Sequence, residues 1–156
     1  MEGTRLATEA DVPVLAALTE AAVDEQRDAR GGEVWAVREA RALPAEDSLR
    51  HAIADPSQLV LVGTIDDVVV AYAAVRVEDL RDGSRLGVVT DIYTDPGARE
   101  VGLGEALIDE VLKWCTEQGC RGVDALALPG NRETKNFFET AGLTARAIVV
   151  HKRLPA

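Results

Sequence analysis

The chain has 156 residues, 47% of them hydrophobic, which suits one domain with a real core and is too short for two. Its 27 acidic and 17 basic side chains give a net charge of -10, so nucleic acid is an unexpected partner. The two cysteines are too few for a metal site, and no apolar run approaches the roughly 20 residues of a membrane span. We expect one cytoplasmic domain, residues 1–156, with no membrane or metal partner. Its acidity would either attract a cationic ligand or only keep the protein soluble.

The first part of the chain predicts one short strand followed by helices. Residues 5–7 can form the strand, and Thr8 to Asp11 has the form of a capping box, which opens a helix. That helix should end by Gly31, and a less regular helical pattern follows over 33–43. The amphipathic pattern predicts a further helix over 45–54. Asp55-Pro56 marks its end.

Two apolar runs, 59–65 and 68–77, are separated only by Asp66-Asp67 and predict a tight β-hairpin. A polar turn over 78–85 then leads into the next strand. These segments predict an antiparallel half of a sheet.

The stretch from Val88 to Cys115 is the part around which we expect the function to be organised. Residues 88–93 have the β-branched and aromatic bias of a buried strand, which Asp95-Pro96-Gly97 ends. Gly102 and Gly104 precede a run with apolar residues at helical spacing. A helix that opens at a glycine loop leaves N–H groups unpaired at its positive end, which is an anion site.

Two familiar glycine loops do not match this stretch. No Gly-Lys-Ser or Gly-Lys-Thr exists for a nucleotide P-loop. A dinucleotide loop needs a third glycine where this chain has Leu107. The pattern that fits is R-x-x-G-x-G, from Arg99 to Gly104, which resembles the pyrophosphate loop of the GCN5-related N-acetyltransferases. The segment NRETKNFFETAGL, from Asn131 to Leu143, is also similar to a segment of that family.

In the last third of the chain, residues 123–128 predict a strand that runs parallel to the strand at 88–93. It lies between a helix that ends at Gly119 and a helix that Asn131 caps. A final strand is expected over 145–154. The resulting order resembles the acetyltransferase fold, an α/β domain with a mixed, mostly antiparallel sheet flanked by helices and a splayed parallel strand pair that binds coenzyme A.

The resemblance implies that the protein uses acetyl-CoA as co-substrate and a primary amine as acceptor, and that it forms a homodimer. The implied cofactor-binding residues are Ile92, Tyr93, Thr94, Arg99, Glu100, Val101, Gly102, Leu103, Gly104, Asn131 and Phe138. The loop assignment also has independent physical support, because converging N–H groups at a helix start suit a diphosphate.

Two positions depart from the family pattern. The central strand reads Thr90-Asp91 where polyamine acetyltransferases have Glu-Asp, so Asp91 is the candidate for amine recognition or water-relayed deprotonation, with a structural role as the alternative. The second aromatic of the pair is Phe138, not a tyrosine that acts as general acid. Phenylalanine has no proton to give, and Tyr93 or water is the substitute that we expect.

The acceptor pocket that the family implies would involve Trp35, Glu33 and Glu78, together with Asp91, although each of the first three has a structural or solvent-exposed alternative. Three functions therefore stand at this point: an N-acetyltransferase in which the amine attacks the thioester directly, a catalytically impaired acyl-CoA-binding module, and a structural dimerisation partner with an empty cleft.

Overall fold

A computed structural model describes all residues from 1 to 156 and contains five strands and five helices. The strands are β1 (Glu2–Leu6), β2 (Gln58–Ile65), β3 (Val68–Asp79), β4 (Arg85–Thr94) and β5 (Cys120–Asp124). The helices are α1 (Val12–Arg27), α2 (Gly32–Arg38), α3 (Glu46–Ala54), α4 (Leu103–Glu117) and α5 (Arg132–Thr140). Short 3-10 turns cover Glu9–Asp11 and Pro96–Ala98. None of the helices is both long enough and apolar enough to span a membrane.

The five strands form one sheet in the order β1-β2-β3-β4-β5. The first three pairs are antiparallel, and β4 and β5 are parallel. The hairpin between β2 and β3 turns on Asp66 and Asp67, which both have positive φ, as a two-residue turn of this hand requires. The predicted mixed, mostly antiparallel sheet is therefore confirmed.

The sheet is covered on both faces, so its central strands alternate between two cores. Val60, Val62 and Tyr72 pack with Leu15 and Leu49, from α1 and α3, on one face. The opposite face packs against α4 and α5. Its buried residues include Leu61, Ala73, Val75, Leu107, Val111 and Phe138. Period-2 alternation over two buried faces explains why β2 and β3 read as almost continuous apolar runs.

Local end signals of the helices are confirmed where they were predicted. The Thr8 N–H donates to the Asp11 carboxylate at 2.8 Å at the start of the 3-10 turn that leads into α1. Gly119 and Gly142 both have positive φ after α4 and α5. Leu143 then donates its N–H to the Phe138 carbonyl at 3.0 Å, which closes α5.

Three strand predictions need correction. The strand expected over 5–7 is β1, and it lies earlier, at Glu2–Leu6. The strand expected over 123–128 is β5, and it lies earlier, at Cys120–Asp124. The final strand expected over 145–154 is wrong for this chain alone, because residues 144–156 contain no strand and make no backbone–backbone hydrogen bond. The β-branched pattern indicates a preference for extended backbone, whereas a strand also needs a partner strand, which this segment does not pair with.

Candidate functional site

The parallel strands β4 and β5, at one edge of the sheet, separate partway along β4. They pair from Arg85 to Val88 on the β4 side, while β4 continues to Thr94 with only β3 beside it. Strand β4 has a β-bulge at Thr90, since Ala74 pairs with Asp91 whereas Val75 pairs with Val89. A bulge bends the strand that carries it. The edge of β4 from Val89 to Thr94 therefore borders a gap instead of a strand.

The loop after β4 presents a row of unpaired amides at this gap. Asp95 caps the 3-10 turn by accepting from the Gly97 N–H at 2.9 Å. The following N–H groups, from Glu100 to Gly104, donate to no acceptor in the protein. They surround the N-terminus of α4, whose dipole also favours an anion. This combination of amides and dipole fits a phosphate group.

The two glycines of the loop have different structural reasons. Gly102 has a φ of +82°, and a side chain there would meet open space. Gly104 lies inside α4, where a Cβ would come within 3.0 Å of the Phe137 ring. Gly102 thus gives the backbone turn and open access, whereas Gly104 allows α5 to pack closely on α4.

Arg99 is fixed before any ligand arrives. Its guanidinium donates to both oxygens of Glu25 at 2.8 and 2.7 Å and, through Nε, to the Thr94 carbonyl at 2.9 Å. It also lies 5.3 Å from the centre of the Tyr93 ring, within cation–π range. Glu25 comes from α1 and was missed by sequence reasoning, because nothing local marks a partner 74 residues away.

This cluster shifts the protonation of its members. Arg99 lowers the pKa of Glu25, which keeps the carboxylate charged. Burial, and after it the Glu25 carboxylate, raise the pKa of Tyr93 to about 12. The Tyr93 hydroxyl therefore stays protonated at neutral pH and can donate a hydrogen bond.

Asp91 lies on the same face of β4 as Tyr93, and its two oxygens are both occupied. Arg41 donates to them at 2.7 and 3.0 Å as a two-pronged pair, and the Tyr72 hydroxyl donates at 2.9 Å. Tyr72 is bonded in turn to Thr19 at 2.8 Å. Burial, and then the charge of Asp91, raise the pKa of Tyr72 well above its usual value. Asp91 is thus the centre of a satisfied network, in which Arg41 is a second residue that the sequence did not indicate.

A shallow polar cavity of about 260 Å³ opens beside the Arg41–Asp91 pair. Its lining residues are Glu39, Arg41, Ala42, Ser48, Gln58, Thr90 and Asp91. Arg41 also donates to Ser48 at 3.1 Å. The cavity joins the α2–α3 connection to the bulge of β4, and it can hold a small polar group.

On the other side of the gap, the α5 residues named from the sequence are held by protein contacts. The Asn131 side chain accepts from the Thr134 N–H at 3.0 Å, which confirms it as the N-cap of α5. Its amide donates to Gln26 of α1 at 3.1 Å. Phe138 is 6% exposed and packs edge-on against Phe137, with 5.4 Å between ring centres. Neither side chain is free in this state.

The three acceptor candidates do not lie together. Trp35 is half-buried on α2, where Glu33 pairs with Arg153 at 3.1 Å. Glu78 pairs with Arg76 at 3.0 Å and lies opposite Leu86 in the sheet. Eight residues of β4, roughly 26 Å of strand, separate that position from Thr94. The structure therefore leaves Glu78 apart from the loop.

Comparison with known proteins agrees with this arrangement. The family model described as "Acetyltransferase (GNAT) family" matches residues 17–143. A search of curated proteins found no match.

Several solved structures are similar over nearly the whole chain. An aminoglycoside acetyltransferase from an uncultured soil metagenomic sample has a TM-score of 0.73 at 20% identity, covering 99% of this chain and 96% of its own. A ribosomal-protein-alanine N-acetyltransferase from Brucella melitensis biovar Abortus 2308 has a TM-score of 0.71 at 18% identity, covering 99% and 100%. A transcriptional regulator from Bacillus halodurans C-125 has a TM-score of 0.71 at 18% identity, covering 99% and 100%. At these identities the likeness concerns the fold.

Proposed function

Because the chain belongs to the GNAT acetyltransferase family, we propose that it transfers an acetyl group from acetyl-CoA to a primary amine by direct attack. The observation that carries the proposal is the row of unpaired amides from Glu100 to Gly104 beside a gap between parallel strands. The amides match the charge of a diphosphate, and the bare edge of β4 matches the amide groups of an extended arm. Acetyl-CoA, when bound, supplies the activated acetyl group as a thioester.

The loop would hold the diphosphate through the amides of Glu100, Val101, Gly102, Leu103 and Gly104. Arg99 has N–H groups left over after its three bonds, so it can add a charged hydrogen bond without leaving Glu25. The edge of β4 at Ile92, Tyr93 and Thr94 would pair with the arm. Asn131 and Phe138 border the other side, and Asn131 would need to exchange its Gln26 contact to reach the ligand.

The reaction forms an amide bond from the amine nitrogen to the acetyl carbon and breaks the carbon–sulfur bond. The amine must give up a proton, and the departing sulfur needs one or a hydrogen bond. We assign the hydrogen bond to the departing sulfur to Tyr93, whose hydroxyl stays protonated. For removal of the amine proton, Asp91 is the only candidate that the sequence offered. Its saturated bonds favour the structural alternative over a direct proton transfer, so water at the cavity edge is the base that we propose.

The acceptor class follows from charge and from neighbours of the same fold. A net charge of -10 attracts cationic amines, and the names of two similar structures refer to an aminoglycoside and to a ribosomal-protein alanine, whose amino groups are cationic. Glu33 and Trp35 on α2 remain candidates for contacts with the acceptor. Glu78 is the weakest candidate, because it lies far from the loop.

The first test is calorimetric titration with acetyl-CoA, followed by a free-thiol assay against an aminoglycoside, a peptide with N-terminal alanine and a lysine peptide. Arg99→Met should weaken acetyl-CoA binding roughly tenfold, the lower end of what a charged hydrogen bond contributes. The matched control is Arg121→Met, which removes an exposed arginine of β5 that pairs only with Asp82. Absence of acetyl-CoA binding would refute the proposal.

A second function is favoured by two specific observations. Phe138 stands where many relatives have a proton-donating tyrosine, and it is buried. The Asp91 carboxylate is held in an ion pair with Arg41. Both fit an acyl-CoA-binding module without turnover. Tight binding with no thiol release from any amine would support this alternative over the enzyme.

A further inference from the structure

The polar cavity beside the Arg41–Asp91 pair contains one charge that no buried partner balances. Arg41 and Asp91 neutralise each other through their bonds of 2.7 and 3.0 Å. The third charged residue of the lining is Glu39. Its carboxylate bonds only to Arg38, at 2.9 Å, whose side chain is 70% exposed and lies outside the lining. An exposed pair of this kind is weak, so the cavity is negative.

The uncharged side chains of the lining also favour a cation. Ser48 and Thr90 donate their hydroxyl hydrogens to backbone carbonyls at 3.2 and 3.3 Å. Gln58 donates its amide to Asp55 at 3.0 Å. The oxygen atoms of these three side chains therefore remain as acceptors, and an ammonium group is a donor with no lone pair.

The position of Glu39 adds to this preference. Glu39 is the C-cap of α2, and its N–H donates to the Trp35 carbonyl at 3.1 Å. The last turn of a helix carries a partial negative charge, where a further carboxylate is unfavourable and a cation is favourable. A bound ammonium group would relieve that repulsion.

The cavity lies a short distance from the proposed reaction centre. Neighbouring side chains of a regular strand point to opposite faces, but the bulge in β4 lets both Thr90 and Asp91 line the cavity. Tyr93 is two residues beyond Asp91 on the same face, roughly 6.6 Å along the strand. A short carbon chain, such as that of diaminobutane, can connect an amine beside Tyr93 with a second amine in the cavity.

We propose that Glu39 and the oxygen atoms of this cavity bind a second ammonium group of the acceptor, so that the acceptor is a short diamine. The inference rests on the proposed acetyl transfer and names the class of its substrate. Glu39 determines specificity here and transfers no proton, because the group that it binds is the amine that does not react.

The test compares diaminobutane with butylamine, which has the same carbon chain and only one amine, in the free-thiol assay with acetyl-CoA. In the wild type, KM for diaminobutane should be about tenfold lower than for butylamine, the lower end of what a charged hydrogen bond contributes. Glu39→Gln keeps the size of the side chain and removes the charge. It should raise KM for diaminobutane about tenfold and leave kcat unchanged, as expected for a contact made equally in ground state and transition state, and it should not affect butylamine.

Two further variants separate this contact from a general effect of charge. Glu46→Gln changes a glutamate at the start of α3 that does not line the cavity, and it should behave as wild type. Arg38→Met removes the cation that competes for Glu39, and it should lower KM for diaminobutane by up to about fivefold.

Calorimetric titration of diaminobutane into the protein with coenzyme A measures the same site without turnover. Binding that Glu39→Gln weakens about tenfold, with no thiol release in the wild type, would support the site and refute acetyl transfer. Turnover of both amines with equal KM would overturn the site and leave acetyl transfer standing. An equal effect of Glu46→Gln, or no binding of diaminobutane by the wild type, would also overturn the site.

Discussion

Replacing Arg41 by methionine should be one of the most damaging single changes outside the apolar core. Arg41 and Asp91 have side chains that are 10% and 5% exposed, and they share two hydrogen bonds of 2.7 and 3.0 Å. The methionine fills much of the same space but leaves the Asp91 carboxylate with Tyr72 as its only remaining donor. A buried charge that loses its counter-ion is poorly compensated.

The expected loss of unfolding free energy is about 3–5 kcal/mol, the usual cost of removing one partner of a buried pair. That is a large part of the roughly 5–15 kcal/mol available to a domain. At about 2–4 °C per kcal/mol for a chain of this size, the midpoint of thermal unfolding should fall by roughly 6–20 °C. The matched control is Arg38→Met, whose pair with Glu39 has side chains 70% and 34% exposed. It should cost about 1 kcal/mol or less.

Urea unfolding of both variants measures this difference, and the variants Asp91→Leu and Arg41→Met/Asp91→Leu complete the double-mutant cycle. Removing both charges should recover much of the loss, because an apolar pair avoids the unpaired carboxylate. A loss for Arg41→Met no larger than for Arg38→Met would refute the reasoning. If the double variant turns over amines as wild type does, Asp91 is structural. A fall of about 100-fold or more in a stable protein would make Asp91 a proton-handling group.

Three further predictions concern packing, pH and the loop. Gly104→Ala should lose up to about 2 kcal/mol in urea unfolding, because the cost of overpacking against Phe137 exceeds the gain of about 0.5–1 kcal/mol that alanine brings to a helix. The added change Phe137→Leu should restore part of the loss; no rescue would mean that the glycine is needed for another reason. Hydrogen bonds from Arg5 lower the pKa of Asp11 from 3.8 to about 2, so this carboxylate stabilises the fold above pH 4 and the effect is lost as pH falls to 2. Unfolding of Asp11→Asn should show about 2 kcal/mol less change between pH 5 and pH 2, and an unchanged pH profile would contradict the assignment. Glu25→Gln should weaken acetyl-CoA binding in calorimetry by up to about fivefold, since it removes the exposed pair, which contributes roughly 0.2–1 kcal/mol, that holds Arg99 beside the loop; Glu20→Gln, exposed on the same helix, should bind as wild type, and tighter binding by Glu25→Gln would show that the pair competes with the ligand for Arg99.

Features encoded by neighbouring residues could be predicted from the sequence. The hairpin at Asp66-Asp67, the caps at Gly119 and Asn131, and the glycine loop all depend on residues within one or two turns of each other. Their geometry follows from backbone preferences and local hydrogen bonds. The gap between β4 and β5 was accessible only through the resemblance, because nothing in the strand patterns states where a parallel ladder stops.

Features that depend on distant pairs could not be predicted. Arg41 and Asp91 are 50 residues apart, and nothing in the sequence indicates that Arg41 is the partner of the Asp91 carboxylate. Gly104 is required because the ring of Phe137, on another helix, leaves no room for a side chain. The motif therefore identified the residue but not its structural role. The prediction of the last strand was wrong for a related reason: its β-branched pattern is strong, but pairing depends on a distant partner strand, and residues 144–156 pair with none.

The end of α1 explains how the two sides of the gap are held before a ligand binds. Adjacent residues of this helix contact opposite sides: Glu25 bonds Arg99 in the loop after β4, and Gln26 bonds Asn131 at the start of α5. The turn that follows packs directly on the β5–α5 loop, where a side chain on Gly130 would lie 2.6 Å from the Arg30 backbone. A rigid bridge of this kind fixes the distance between the free amides and α5, so less order has to be gained on binding.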